Sequence, residues 1–295
     1  MTDLEKPPTT AFVLGGGGKW GAVEIGMLAA LVAADITPDV VLGCSIGAIN
    51  GAAFANRPDR HGVQALEQFW TTSASAAVER IRFKDRAGSL IGRRPYLHDN
   101  SSLRQLANSV IGVSTFEELQ VPFQCVAASI EEATEHWFDT GPLINAVMAS
   151  CAIPVLFPPV DIGGTHYYDG GLVNSIPLDR AIQGGAKRIF VLQVGRIEEP
   201  LKPPTRLHEA GLVAFELARR QRFFTTQRLI PDDVTVHMLP SGHRLAMDDV
   251  RQLRWKRTAD AATLIRGADT ASRTYLTQLL GVQGIDSILT KTASF

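Results

Sequence analysis

Ser45 stands in Gly43-Cys44-Ser45-Ile46-Gly47, directly after the apolar run Val40-Val41-Leu42. A serine with glycines two positions away on either side, between a strand and small helix-forming residues, fits the G-x-S-x-G elbow. In that turn the chain bends sharply from strand to helix and lifts the hydroxyl clear of the sheet. Both glycines have a steric reason, because a side chain at 43 or 47 would strike the neighbouring strand or helix. Such a serine can attack an ester if a base takes its proton and N–H donors hold the oxyanion that forms. The pentapeptide alone also suits an ordinary strand-to-helix loop, so the donors and the base must be sought elsewhere in the chain.

The glycine run before it offers donors. Gly15, Gly16, Gly17 and Gly18 lie between the apolar run 11–14 and a helical segment, 22–34, whose one charged residue before Ala34 is Glu24. Free amides at a helix N-terminus favour a negative oxygen. Gly16, Gly17 and Gly18 therefore form a candidate oxyanion hole, with Gly17 and Gly18 as the preferred donors and the N–H of Ile46 as a weaker one. Each well-placed donor is worth about 3–4 kcal/mol. Gly16-x-Gly18-x-x-Gly21 also spells the dinucleotide fingerprint. A nicotinamide site wants an acid at the end of the second strand, where this chain has Gly43-Cys44-Ser45, so the glycines fit an oxyanion better than a dinucleotide.

The base is less obvious. Seven histidines are scattered through the chain, none at a strand end as suggestive as Asp169. Gly163-Gly164 leads into a short strand that ends in Asp169 and then Gly170-Gly171. His166 lies three positions earlier and so faces the opposite side of that strand. A functional turn and a simple capping aspartate both fit Asp169. Cys44, beside the serine, reads as a small buried filler.

The elements that position these residues follow the α/β pattern. Apolar strands at 11–14 and 39–42, each followed by a turn and a helix, make a right-handed βαβ unit that brings both turns to the carboxyl ends of parallel strands. Thr37-Pro38 closes the first helix. Helical pieces are expected at 63–70 and at 101–110, the latter capped by Asn100 or Ser101. Between them Arg80, Arg82, Lys84, Arg86, Arg93 and Arg94 mix with Ile81, Phe83, Leu90, Ile91 and Tyr96. That stretch, 80–100, reads as a solvated cover or as a lid that meets anionic headgroups or an acyl chain. Further strands are expected at 123–129, 137–139, 188–194 and 234–239, and helices at 142–151, 174–182, 207–229 and 254–280. Residues 152–159 hold three prolines and form a stiff apolar loop suited to lining a pocket.

The chain has 295 residues, 45% hydrophobic and 20% charged, with a formal net charge of −1. That balance gives no field for nucleic acid, and nucleic acid is not an expected partner. Three cysteines without a C-x-x-C pair suit a reducing compartment. No signal pattern opens the chain and no apolar run is long enough to span a bilayer, so a cytoplasmic location is expected. The expected organisation is a flexible N-terminus at 1–10, a catalytic core at 11–195, and a strand and helices at 196–295 that continue the same domain. Residues 207–229 carry Phe215, Leu217, Phe223 and Phe224 beside Arg219, Arg220, Arg222 and Arg228. They read as a core stripe or as a helix docking peripherally on membrane through its aromatic face.

Taken together, Gly16-Gly17-Gly18-x-x-Gly21, Gly43-Cys44-Ser45-Ile46-Gly47 and Asp169-Gly170-Gly171 resemble the patatin-like phospholipase family. Ala149-Ser150-Cys151-Ala152-Ile153-Pro154 and Phe157-Pro158-Pro159 resemble that family's loop before the aspartate. The resemblance spans about residues 12–177. It implies a three-layer α/β/α sandwich with a mostly parallel central sheet, a helical cap and C-terminal helices. It further implies a Ser–Asp dyad of Ser45 and Asp169 without histidine, the glycine run as oxyanion hole, no metal or other cofactor, and hydrolysis of phospholipid or lysophospholipid esters through an acyl-enzyme. Lys19, Trp20, Ile46 and Phe157 are the expected substrate contacts. The family usually carries Arg or Lys just before the glycine that opens the helix; this chain has Trp20 there, preceded by Lys19. Two other readings stand beside this one: an esterase with a Ser-His-Asp triad, and a lipid-binding or regulatory protein that keeps the fold without catalysis.

Overall fold

The computed structural model describes residues 9–73, 96, 98–194, 200–201, 203–205, 207–243, 261–279 and 281. A single sheet contains β1 (Thr10–Leu14), β2 (Val40–Cys44), β3 (Phe123–Ser129), β4 (Thr134–Phe138), β5 (Val160–Ile162), β6 (Thr165–Asp169), β7 (Arg188–Leu192) and β8 (Thr235–Met238). Its order is β5-β6-β3-β2-β1-β7-β8, with β4 also paired to β3. The pairs β3–β2, β2–β1, β1–β7 and β7–β8 are parallel, and β4, β6 and β5 add antiparallel pairings.

The helices are α1 (Ala22–Ala33), α2 (Ile46–Asn56), α3 (Arg60–Gln68), α4 (Ser101–Ile111), α5 (Leu143–Ser150), α6 (Leu178–Gln183), α7 (Leu207–Gln227) and α8 (Ala261–Leu279). Strand alternation sorts them into layers. Phe12, Leu14, Val41, Phe190 and Leu192 join one core with Ile25, Leu28 and Leu31 of α1, Ile49 and Phe54 of α2, and Leu264 and Ile265 of α8. Their neighbours Ala11, Val13, Val40, Leu42, Ile189 and Val191 join a second core with Leu178 and Ala181 of α6 and Phe223 of α7. Apolar residues on both faces are what a parallel sheet covered on both sides requires. The result is the expected α/β/α sandwich, and both β8 and α8 pack into it.

The glycine run is followed by a 3-10 turn, Gly18–Gly21, before α1 begins. Glu24 is fully buried. It accepts a hydrogen bond from Asn50 Nδ2 at 2.7 Å, and Asn50 also donates to the Gly21 carbonyl at 3.1 Å and accepts from Trp70 Nε1 at 3.0 Å. Burial pushes the Glu24 carboxyl well above the usual range.

Several boundaries differ from expectation. Thr10 already belongs to β1, because the Thr9 and Thr10 amides both donate to Asp39 Oδ2 and tie the strand start to the loop before β2. Asn100 stands at the N-cap of α4 as expected, but its side chain makes no cap hydrogen bond; Asp99 Oδ1 accepts the Ser101 N–H at 2.9 Å instead. The helix expected at 174–182 begins at Leu178. Residues 174–176 are held in another conformation, with Asn174 Nδ2 donating to Glu135 and Asp179 and the Ser175 carbonyl accepting from Gly16. The last helix is described from Ala261. The basic stretch 80–94 and the chain before Thr9 lie outside the described residues. Among the described residues no helix is long and apolar enough to cross a membrane.

Candidate active site

The site is assembled along one edge of β3. Val126 pairs with Cys44 of β2 and with Trp137 of β4, while Ala127 pairs with Asp169 of β6 and with His136 of β4. One edge of β3 is thus given to β4. The other is shared by β2 and β6, which approach each other end to end. Cys44 and Asp169 occupy adjacent rungs at the junction, and Ser45 follows Cys44.

Ser45 has φ 54° and ψ −122°, a left-handed conformation that costs a non-glycine residue free energy. The surroundings enforce it. Ser45 N–H donates to Ser150 Oγ at 2.9 Å, and the Cys151 thiol donates to the Ser45 carbonyl at 3.0 Å. Both partners come from the C-terminal end of α5. A Cβ on Gly47 would stand 2.4 Å from the Leu14 carbonyl oxygen, and one on Gly43 would stand 2.6 Å from the Gly47 oxygen. The expected steric need for these two glycines is met.

Ser45 Oγ donates to Asp169 Oδ2 at 2.6 Å, and the other carboxylate oxygen accepts the Gly171 N–H at 2.7 Å. Both residues are buried. Burial pushes the Asp169 carboxyl up to about 6, against the opposing pull of the bonds from Ser45 and Gly171. Asp169 is also fixed through its backbone, since its N–H donates to the Ala152 carbonyl at the start of the proline loop.

No described imidazole hydrogen-bonds Ser45. His166 pairs with Glu131 at 2.7 Å on the exposed side of β6, as strand alternation requires. His237 packs between Phe190 and Tyr275, and His136 between Phe138 and Tyr167. Cys44 is buried, and its thiol is held well above its usual range by burial first and then by the Asp169 charge, with the Arg219 guanidinium opposing. Cys44, Cys125 and Cys151 are all free and buried.

The glycine run divides by hydrogen bonding. Gly16 N–H donates to the Ser175 carbonyl at 2.9 Å, so it is not available to a substrate oxygen. This corrects the inclusion of Gly16 among oxyanion donors. Among the described residues no acceptor meets the N–H of Gly17 or of Gly18. Gly18 has φ 55°, a region that glycine enters freely. Ile46 opens α2, and its N–H has no partner within that helix.

Trp20 is half-buried and packs against the core around α1. The Lys19 side chain lies outside the described residues. Phe157 sits in the proline loop with its ring 6.3 Å from that of His98, and in the same loop Val155 is 65% exposed.

Sequence reasoning missed Ser150, Cys151, Ser175 and Arg219. The first two stood in the quoted Ala149-Ser150-Cys151-Ala152 run, but nothing in it tells which backbone groups they serve. Arg219 and Arg220 read only as basic residues beside the apolar positions of 207–229. They are buried, both ion-paired to buried Glu216, and Arg219 Nη1 donates to the Gly16 carbonyl at 3.2 Å. Their charges are thus turned inward, towards Glu216 and the Gly16 carbonyl. Among the described side chains of α7 the large hydrophobics exposed are Leu217 and Phe224, while Phe223 is in the core.

With this geometry in view, a family model described as patatin-like phospholipase matches residues 12–182, more than half of the chain. The chain belongs to the patatin-like phospholipase family. It is 30% identical over 201 residues to patatin-like phospholipase domain-containing protein ZK370.4 of Caenorhabditis elegans, covering 68% of this chain and 14% of that protein. It is 29% identical over 193 residues to patatin-like phospholipase domain-containing protein 6 of Homo sapiens, covering 65% of this chain and 14% of the human protein. An uncharacterized NTE family protein, Mb1092c of Mycobacterium bovis, is 28% identical over 173 residues, with 58% of this chain and 45% of that one covered. The chain spans less than half the length of each of these relatives. Among solved structures, VipD from Legionella pneumophila aligns over 92% of this chain and 67% of its own, with a TM-score of 0.49 and 12% identity. Human GIVD cytosolic phospholipase A2, in complex with methyl gamma-linolenyl fluorophosphonate, aligns over 96% and 60%, with a TM-score of 0.45 and 10% identity.

Proposed function

We propose that the chain is a serine lipid acyl hydrolase that cleaves carboxylic esters of phospholipids, lysophospholipids or related lipids through Ser45 and Asp169. The observation that carries this reading is the 2.6 Å hydrogen bond from Ser45 Oγ to Asp169 Oδ2, inside a site where the carboxyl is raised to about 6. Asp169 takes the hydroxyl proton as Oγ bonds to the ester carbonyl carbon. The carbonyl π electrons move onto oxygen, and the N–H groups of Gly17 and Gly18 hold that oxyanion, with Ile46 N–H beside them. Collapse expels the alcohol, which receives the proton from Asp169, and leaves an acyl group on Ser45. Water then gives its proton to Asp169 and attacks the acyl carbon; collapse releases the fatty acid and returns the proton to Ser45.

A carboxylate is ordinarily a weak base for a hydroxyl, with a reference value of about 3.9. Burial brings Asp169 nearer to neutrality, which is the tuning that general-base catalysis favours. The apolar loop at 153–157, with Phe157, is the natural wall for an acyl chain. Ile46 and Trp20 lie beside the glycine loop, and Lys19 is the candidate contact for a headgroup. The same reading includes peripheral contact with a lipid surface. The three free cysteines fit a reducing compartment and so a cytoplasmic location.

The test is a p-nitrophenyl ester and lysophospholipid panel, run with wild type and Ser45→Ala, beside labelling by a fluorophosphonate probe. Ester turnover and labelling that both vanish in Ser45→Ala support the proposal. Wild-type protein that neither turns over the esters nor takes the label points to a fold kept without catalysis.

A further inference from the structure

The mechanism above leaves Arg219 unused, although its guanidinium lies directly behind the glycine loop. It comes from α7, beyond the residues matched by the family model. The side chain is 1% exposed. Nη2 pairs with Glu216 at 3.1 Å, and Nη1 donates to the Gly16 carbonyl at 3.2 Å, with Ser175 Oγ at 3.5 Å. Among the described residues its Nε has no acceptor. Arg220 also reaches Glu216, at 3.4 Å.

A buried cation is costly unless it is paired and hydrogen-bonded, and Arg219 meets that need at Glu216 and at the Gly16 carbonyl. The Gly16 carbonyl belongs to the same planar peptide unit as the Gly17 N–H. A guanidinium on that oxygen draws electron density towards it and makes the N–H at the other end a stronger donor, as in any polarised hydrogen-bond chain. The same contact has a geometric effect. Gly16 is fixed from one side by its own N–H on Ser175 and from the other by Arg219 on its carbonyl. The peptide plane, and with it the direction of Gly17 N–H, is set before substrate arrives.

We infer that Arg219 is a positioning residue which orients and polarises the Gly16–Gly17 peptide, so that a helix outside the matched core supplies the positive charge behind the oxyanion donor. This rests on the reading of Gly17 as a donor in Ser45-dependent ester hydrolysis.

The experiment uses the full chain, p-nitrophenyl butyrate, and the amide resonance of Gly17 in glycine-labelled protein. Arg219→Gln should lower kcat by about tenfold, short of the 10²–10³ that loss of a whole donor costs, with KM little changed. The Gly17 amide proton should shift upfield. Arg219→Lys retains the charge but not the fork, and should recover part of kcat with a Gly17 shift between the other two. An Arg219→Gln protein with wild-type kcat, or with a loss confined to KM, overturns the inference. If Arg219→Gln does not fold, Arg219→Lys decides: wild-type kcat together with an unmoved Gly17 resonance overturns it. Absence of turnover in wild type would sink the hydrolase reading, and the Gly17 resonance would still decide whether Arg219 polarises that peptide.

Discussion

Ser45 and Asp169 are 124 positions apart in sequence and 2.6 Å apart at their side-chain oxygens. Their meeting depends on two backbone registers, β2 on β3 and β6 on β3, that end on adjacent rungs. Burial of the pair gives the carboxyl a proton affinity far from its usual one, and measurable consequences follow from that value.

Asp169 acts as a base only when ionised. With its carboxyl raised to about 6, kcat/KM for a short ester should climb as pH rises through about 6 and level off above it. Asp169→Asn should abolish turnover at every pH, while substitution of His98 or His166 by Asn should leave both rate and profile near those of wild type. A profile measured on p-nitrophenyl butyrate checks this; a histidine variant that loses activity while Asp169→Asn keeps it would sink the dyad.

The same shift has a sign for stability. The folded value of about 6 lies above the unfolded reference of about 3.9, so between those values the folded chain retains a proton that the unfolded chain has released. Asp169 therefore costs no folding free energy below about pH 4 and destabilises the fold progressively as pH rises to about 6. Two units correspond to about 2–3 kcal/mol. Urea-unfolding free energies of wild type should fall by about that much more between pH 4 and pH 7 than those of Asp169→Asn. Parallel curves would mean that the carboxyl does not titrate where burial places it.

Ser150 has no role in the chemistry, yet its hydroxyl is the acceptor for the Ser45 N–H in a buried site. Ser150→Ala leaves that amide unpaired and should cost about 1–3 kcal/mol of stability. It should also lower kcat, because the strained turn at Ser45 loses one of the two side-chain hydrogen bonds that hold its backbone. Urea denaturation and ester turnover measured on one preparation give both numbers. A variant as stable and as active as wild type would show that the elbow holds its shape without α5.

The parts of the site carried by local pattern were legible in the sequence. Ser45 is announced by two glycines at fixed offsets after an apolar strand, and Asp169 by a strand end followed by two glycines. The layered fold was legible too, because strands covered on both faces read as continuous apolar runs. What was not legible is the support. Ser150, Cys151, Ser175 and Arg219 act on backbone groups far away in sequence, and no local spacing reports such a contact. The burial of Arg219 and Arg220 was not legible because a helix face cannot be assigned from charges alone when a buried Glu216 accompanies them. The late start of α6 has the same origin: residues 174–176 give up helical geometry so that Ser175 can receive Gly16.

The end-to-end arrangement of β2 and β6 along β3 makes competence an all-or-nothing property of alignment. A slip of one residue in the β6 pairing would bring Tyr168 or Gly170 opposite Ala127 and turn the carboxyl of Asp169 to the other side of the sheet. The same slip would take Tyr167 out of its packing with His136 and Phe138, so the core resists the shift that would leave the serine without its base. An insertion or deletion inside β6 itself would carry this shift, whereas one in the loops before Thr165 leaves the pairing free to hold, so the length of β6 guards the dyad more closely than the length of the chain leading to it.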